Sequence, residues 1–122
     1  MSRILVVDDD KDVIELVRFL LEQDGHQVLE AYDGVEGVEV AQKELPDLII
    51  LDIMMPERDG FTANTHLLDN EATRGIPIMV LTAKGQMRDL FESAPNVRCY
   101  MEKPFESKEL RKNVAAVVAQ SN

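Results

Sequence analysis

Residues 48–60 read Leu-Ile-Ile-Leu-Asp-Ile-Met-Met-Pro-Glu-Arg-Asp-Gly. The first four are continuously apolar and too few for a helix, as expected of a parallel strand covered on both faces. Asp52 closes this run, so an acid stands at the end of a buried strand. A second unbroken run, Ile78 to Leu81, has the same character, and both predict central positions in a sheet.

Outward from these, Ile4 to Val7, Val28 to Ala31 and Val97 to Met101 are also of strand length. Amphipathic stretches alternate with them, a rhythm that argues α/β. Val13, Leu16, Val17, Leu20 and Leu21 recur at helical spacing and lead into Gly25, a left-handed stop. Asp33 with Glu36 reads as a capping box opening a second helix, and Pro46 ends it before the next strand. A third helix is predicted from Asp59 or Gly60, carrying Phe61 and Leu68 inward. Met87, Leu90, Phe91 and Ala94 mark a short fourth; Leu110, Val114, Val117 and Val118 mark a fifth, capped by Ser107. Five strands and five helices make a doubly wound (βα)5 sheet, with a crevice at the carboxyl ends where the strand order reverses.

The 122 residues make one domain, residues 1–122. With 45% hydrophobic and 30% charged residues, the composition is that of an ordinary globular protein. A formal net charge of -10 repels phosphate backbones and anionic lipid, which argues against direct nucleic-acid binding. The apolar run at the N-terminus is too short for a signal peptide core or a membrane span. A single cysteine, Cys99, can form neither an internal disulfide nor a cysteine-paired metal site, and reads as a small buried hydrophobe. A cytoplasmic protein is expected.

Asp8, Asp9 and Asp10 follow the first strand, so their carboxylates gather at the sheet edge that also receives Asp52. Taken alone, an acidic triplet is an ordinary solvated turn and Asp52 an ordinary loop acid. Acids crowded against low-dielectric walls must take up protons or recruit a cation; carboxylates with waters and a phosphate oxygen suit Mg2+. Thr82 ends the fourth run and Lys103 ends the fifth. Singly these are a cap and a surface ion pair; together they supply what phosphoryl transfer onto a carboxylate needs. Asp52 would be the nucleophile, with Lys103 and the Thr82 hydroxyl neutralising equatorial oxygens. An ionised carboxylate needs no general base, so His26 and His66, read as solvated surface residues, are not required.

The segments ILVVDDD, LIILDIMMPERDG, IPIMVLTAK and the Lys-Pro-Phe of MEKPF resemble, in order and spacing, those of bacterial response-regulator receiver domains of the CheY-like superfamily. The resemblance covers essentially the whole chain and implies a flavodoxin-like fold with strand order 2-1-3-4-5. It implies that Asp52 accepts phosphate from a phosphohistidine of a sensor histidine kinase or histidine phosphotransfer protein. It further implies Mg2+, or Mn2+ in its place, held directly by Asp9 and Asp52, through water by Asp8 and by the Met54 carbonyl. Thr82, the Ala83 amide and Lys103 would contact the phosphoryl oxygens. The Lys103–Pro104 bond would be cis, and Thr82 with Tyr100 would form the switch. Output would pass to a docking protein or to an effector domain outside this sequence.

The chain departs from the family at Ser93-Ala94-Pro95-Asn96-Val97, where relatives carry a Gly-Ala-Asp turn. That change bears on the face that meets the output partner. Met54 and Lys84, neither suited to orient water, predict slow self-dephosphorylation. Two rivals stand beside this reading. Asp8 and Asp10 mimic the Asp-x-Asp signature of haloacid-dehalogenase phosphatases, but that reading leaves Asp52 without a role. A receiver-fold binding module that is never phosphorylated is the other.

Overall fold

The computed structural model describes residues 2–53, 59–83 and 94–121, with only the backbone of 59–61, 82, 83 and 121. The elements are β1 (Arg3–Val7), α1 (Lys11–Gln23), β2 (Gln27–Ala31), α2 (Gly34–Glu44), β3 (Leu48–Asp52), α3 (Asp59–Asp69), β4 (Ile78–Ala83), β5 (Val97–Lys103) and α4 (Ser107–Ser121). All five strands are parallel in the order β2-β1-β3-β4-β5. The expected helix through Met87, Leu90 and Phe91 lies outside the described residues, so the fifth helix of the sequence reading is α4.

The alternation of side chains along each strand divides the core into two layers. Ile4, Val6, Leu48, Ile50, Met79 and Leu81 face α1 and α4, meeting Val17, Leu21, Leu110 and Val114. Leu5, Val7, Ile49, Leu51, Ile78 and Val80 face α2 and α3, meeting Ala41, Ala63 and Leu67. Every residue of β3 is buried, as a central parallel strand requires, and each such Leu or Ile contributes about 1.5–3 kcal/mol by burial.

The helix boundaries follow local chemistry. The Asp10 carboxylate accepts from the Asp12 N–H and caps α1, while Gly25 at φ 87° ends it in the left-handed conformation that costs glycine little. Asp33 accepts from the Glu36 N–H at 2.7 Å. Glu36 returns its carboxylate to the Tyr32 N–H at 2.6 Å, so the reciprocal half of the capping box is displaced by one residue. The Glu106 carbonyl accepts from the Leu110 N–H, which makes Glu106 the cap of α4 and places Ser107 inside the helix.

Two inward assignments shift. Leu16 is exposed, and Ile14 takes its place in the core. On α3, Leu67 is fully packed while Leu68 is half-buried. In both helices neighbouring apolar residues compete for one stripe, and the tilt on the sheet selects between them.

Close packing beneath the carboxyl edge depends on Gly37, where a Cβ would stand 2.9 Å from Val7 Cγ2. On the far side, β5 pairs Val97 with Ile78 but Cys99 with Met79, leaving Arg98 as an extra, bulged residue. Val97 and Tyr100 consequently pack in the same layer, against α2 and α3. Strict alternation would put them on opposite faces.

Candidate phosphoryl-transfer site

The strands β1, β3, β4 and β5 end at one edge, and β1 and β3 flank the point where the strand order reverses. The Asp8 N–H donates to Ala31 O at 3.1 Å, fixing the first residue past β1 against the end of β2. Asp52 is the last residue of β3 and stands in register with Leu81. Asp8 and Asp52 are buried, Asp9 is exposed, and one carboxylate oxygen of each lies within 4.8 Å of the others. Asp10, expected in the cluster, turns away to cap α1.

Lys103 closes β5 and reaches across the edge. Its Nζ donates to Asp8 Oδ2 at 2.8 Å and stands 3.3 Å from Asp52 Oδ2. The other Asp8 oxygen accepts from the Asp10 N–H at 2.9 Å. Among the described residues, one ammonium is thus shared between two buried carboxylates with a third beside them, three formal negative charges against one positive. Burial pushes the Asp8 carboxyl above its ordinary value; the Lys103 bond opposes this, and the Asp52 charge adds to it. For Lys103, burial pulls the ammonium down, but the hydrogen bond to Asp8 and the two carboxylate charges outweigh it and raise it. A hard divalent cation is the species whose charge matches this deficit and whose ligand preference matches these oxygens.

Thr82 and Ala83 are the last two residues of β4 and pair in register with Glu102 and Lys103, so their backbones border the cluster. Strands β3, β4 and β5 all run further than the apolar runs suggested. Asp52, Thr82 and Lys103 therefore sit on hydrogen-bonded rungs, better fixed than residues in a loop. The Lys103–Pro104 peptide bond is cis. Tyr100 is half-buried with its hydroxyl buried, in the layer of Val80. Met54 and Lys84 lie outside the described residues. His26 and His66 are away from the cluster, and His26 is half-buried, not solvated, its Nδ1 accepting from the Ser2 N–H at 3.2 Å. Cys99 is half-buried against the α1 and α4 layer, and burial raises its thiol.

The family model of the response regulator receiver domain matches residues 4–115. The chain belongs to the response regulator receiver family. It is 39% identical to the DNA-binding dual master transcriptional regulator RpaA of Synechocystis, over all of this chain and 51% of that protein. It is 38% identical to the protein PilH of Pseudomonas aeruginosa, over 98% of this chain and 99% of PilH. The chain thus spans about half the length of RpaA and nearly all of PilH. Among solved structures, a CheY-like receiver domain protein of Methanospirillum hungatei superposes with a TM-score of 0.85 at 31% identity, covering 98% of this chain and 95% of that one. The chemotaxis response regulator CheY4 of Vibrio cholerae gives 0.88 at 28% identity, covering 96% and 98%. The chain is a phosphorelay receiver with a CheY-like flavodoxin fold, a signalling domain. The phosphatase reading is thereby set aside. Among the described residues no helix is long and apolar enough to cross a membrane.

Proposed function

We propose that Asp52 is the phosphoacceptor of this receiver, drawing a phosphoryl group from a phosphohistidine of a sensor histidine kinase or histidine phosphotransfer protein. The observation that carries this is the buried Asp52 carboxylate beside Asp8, Asp9 and the ammonium of Lys103. An Asp52 oxygen attacks phosphorus, the P–N bond breaks with its electron pair returning to the imidazole nitrogen, and an acyl phosphate forms. Asp9 and Asp52, with Asp8 through water and the Met54 carbonyl, would hold Mg2+ or Mn2+, which would supply charge neutralisation at the phosphoryl oxygens. Lys103, Thr82 and the Ala83 amide would neutralise the remaining oxygens, a role in positioning and electrostatics, not proton transfer.

Once phosphate draws the Lys103 ammonium, its bond to Asp8 competes with the new anion, and the β4 and β5 ends respond together. Thr82 and Tyr100 would be the two-state element reading this change. The output passes to a docking protein or to an effector domain, in the cytoplasm, with residues 1–122 acting as one receiver unit. The net charge of -10 opposes direct nucleic-acid binding by this unit.

The test is intact mass spectrometry after incubation with acetyl phosphate. The wild-type chain gains one acid-labile phosphoryl group with Mg2+ and none with EDTA, and Asp52→Asn gains none under either condition. An adduct that persists in Asp52→Asn, or a wild-type chain that never gains one, overturns the assignment. The non-phosphorylated binding module predicts the second of those results. Phosphate on Met54→Asn decaying no faster than on the wild-type chain would remove the case for slow self-dephosphorylation.

A further inference from the structure

Away from the acidic edge, α4 presents Lys108, Arg111, Lys112 and Ala115 to the end of α1 and the turn after it. With Asp24 and His26 these residues line an open groove of about 480 Å³. The spacing of three, four and seven residues puts all four α4 positions on one helix face. The chain as a whole carries a net charge of -10, yet this groove holds three cations against one carboxylate.

That carboxylate is already committed. Arg111 Nε donates to Asp24 Oδ2 at 3.0 Å and Nη2 donates to Oδ1 at 2.5 Å, so both oxygens are engaged by one guanidinium. The arginine holds Asp24 below its ordinary value and keeps it ionised. Lys108 and Lys112 are exposed, one turn apart, and neither makes an ion pair among the described residues. His26 accepts at Nδ1 from the Ser2 N–H, so the neutral ring carries its proton on Nε2. The polar groups left for a ligand are donors: two ammoniums and an imidazole N–H. Such a surface is complementary to an anion rich in acceptors.

The kind of anion follows from what the groove already holds. Its one guanidinium fork takes a carboxylate, that of Asp24, so the bidentate geometry is not on offer to a further ligand. What remains is a pair of point charges on flexible stems, which suits carboxylates spread along a chain. We propose that the α1–α4 groove is a docking surface for an acidic protein segment, its carboxylates placed on Lys108 and Lys112. This surface is separate from Asp52 and does not depend on phosphorylation.

The test is an NMR titration of the isotope-labelled full chain at low salt with a hexaglutamate peptide, beside a single-stranded oligonucleotide and inorganic phosphate. Saturable shifts confined to the amides of Asp24 to Gln27 and Lys108 to Ala115 are expected with hexaglutamate. They should persist in Asp52→Asn, which separates this proposal from the phosphoacceptor assignment. The double variant Lys108→Glu with Lys112→Glu should weaken binding by about tenfold or more. Lys108 lies in the first turn of α4, where an acid is favourable, and both lysines are exposed; amide shifts of the double variant unchanged away from the groove check that it is folded. Scattered or absent shifts, or shifts that survive the charge reversal, overturn the proposal. So does an oligonucleotide or inorganic phosphate that moves the same amides at lower concentration than hexaglutamate.

Discussion

The two ends of the sheet bury polar groups in opposite ways. At the carboxyl edge, among the described residues, Asp8 and Asp52 share one ammonium, that of Lys103. At the amino edge, Asn96 precedes β5 and exchanges side-chain hydrogen bonds with Asn64 of α3, Asn96 Nδ2 to Asn64 Oδ1 at 2.8 Å and Asn64 Nδ2 to Asn96 Oδ1 at 3.4 Å. Both amides are buried, and Asn96 O also accepts from the Ile78 N–H at 2.8 Å. One end is closed and neutral. At the other, among the described residues, the acids outnumber the cation, an imbalance that a bound cation would offset. A domain that only had to fold would satisfy both ends alike; the contrast supports the proposal that Asp52, at the acidic end, is the phosphoacceptor.

Breaking the neutral end should have the largest effect on stability. Asn96→Leu leaves the Asn64 amide buried without its partner and should cost about 1–3 kcal/mol in urea unfolding. The double variant with Asn64→Leu should lose less than the sum of the two singles. Strict additivity would show that the amide pair is not a unit. Beneath the acidic edge, Gly37→Ala pushes a methyl group into Val7, the residue before Asp8, at a cost of about 1–3 kcal/mol. An unchanged unfolding midpoint would mean that α2 can retreat freely.

At the acidic end the sign reverses. Asp8→Asn removes a charge that burial and Asp52 disfavour while Lys103 keeps Asp52 as its partner, and should stabilise the chain by about 1–2 kcal/mol without metal. The folded Asp8 carboxyl titrates above its unfolded value, so its contribution is fully present below the unfolded value and lost as pH rises through the folded one. Wild type should therefore lose stability relative to Asp8→Asn over that rise, read from urea midpoints against pH. A variant equal to or less stable than wild type at neutral pH would contradict the charge deficit.

The smallest effect belongs to His26. Burial holds its imidazole below the ordinary value, with the positive chain terminus adding to this and Asp24 opposing it. Stability from the neutral ring is present above the unfolded histidine value and lost as pH falls through the folded one. His26→Gln should flatten that slope, as measured by thermal unfolding across mildly acidic pH.

Much of this was legible in the residues because the chemistry is local to strand ends. The apolar runs and the acids closing them located the sheet and the edge that collects Asp8, Asp9, Asp52 and Lys103. Sequence spacing could not separate Asp10, which caps a helix, from its neighbours in the cluster, since one acidic triplet serves two purposes. Nor could it choose Ile14 over Leu16, or find the Asn64–Asn96 pair, whose members are 32 residues apart and polar, and so silent in a hydrophobic pattern.

Alternation of apolar and amphipathic segments, with polar residues closing the strands, was enough by itself to determine the fold class and the edge where reactive groups meet. Only the tertiary structure decided which carboxylate Lys103 binds most closely, that the Arg98 bulge turns Tyr100 into the α2 and α3 layer, and that cations of α4 gather beside Asp24. Those outcomes depend on distances and register between segments remote in the chain, and a linear pattern records periodicity within a segment but not where its neighbours stand.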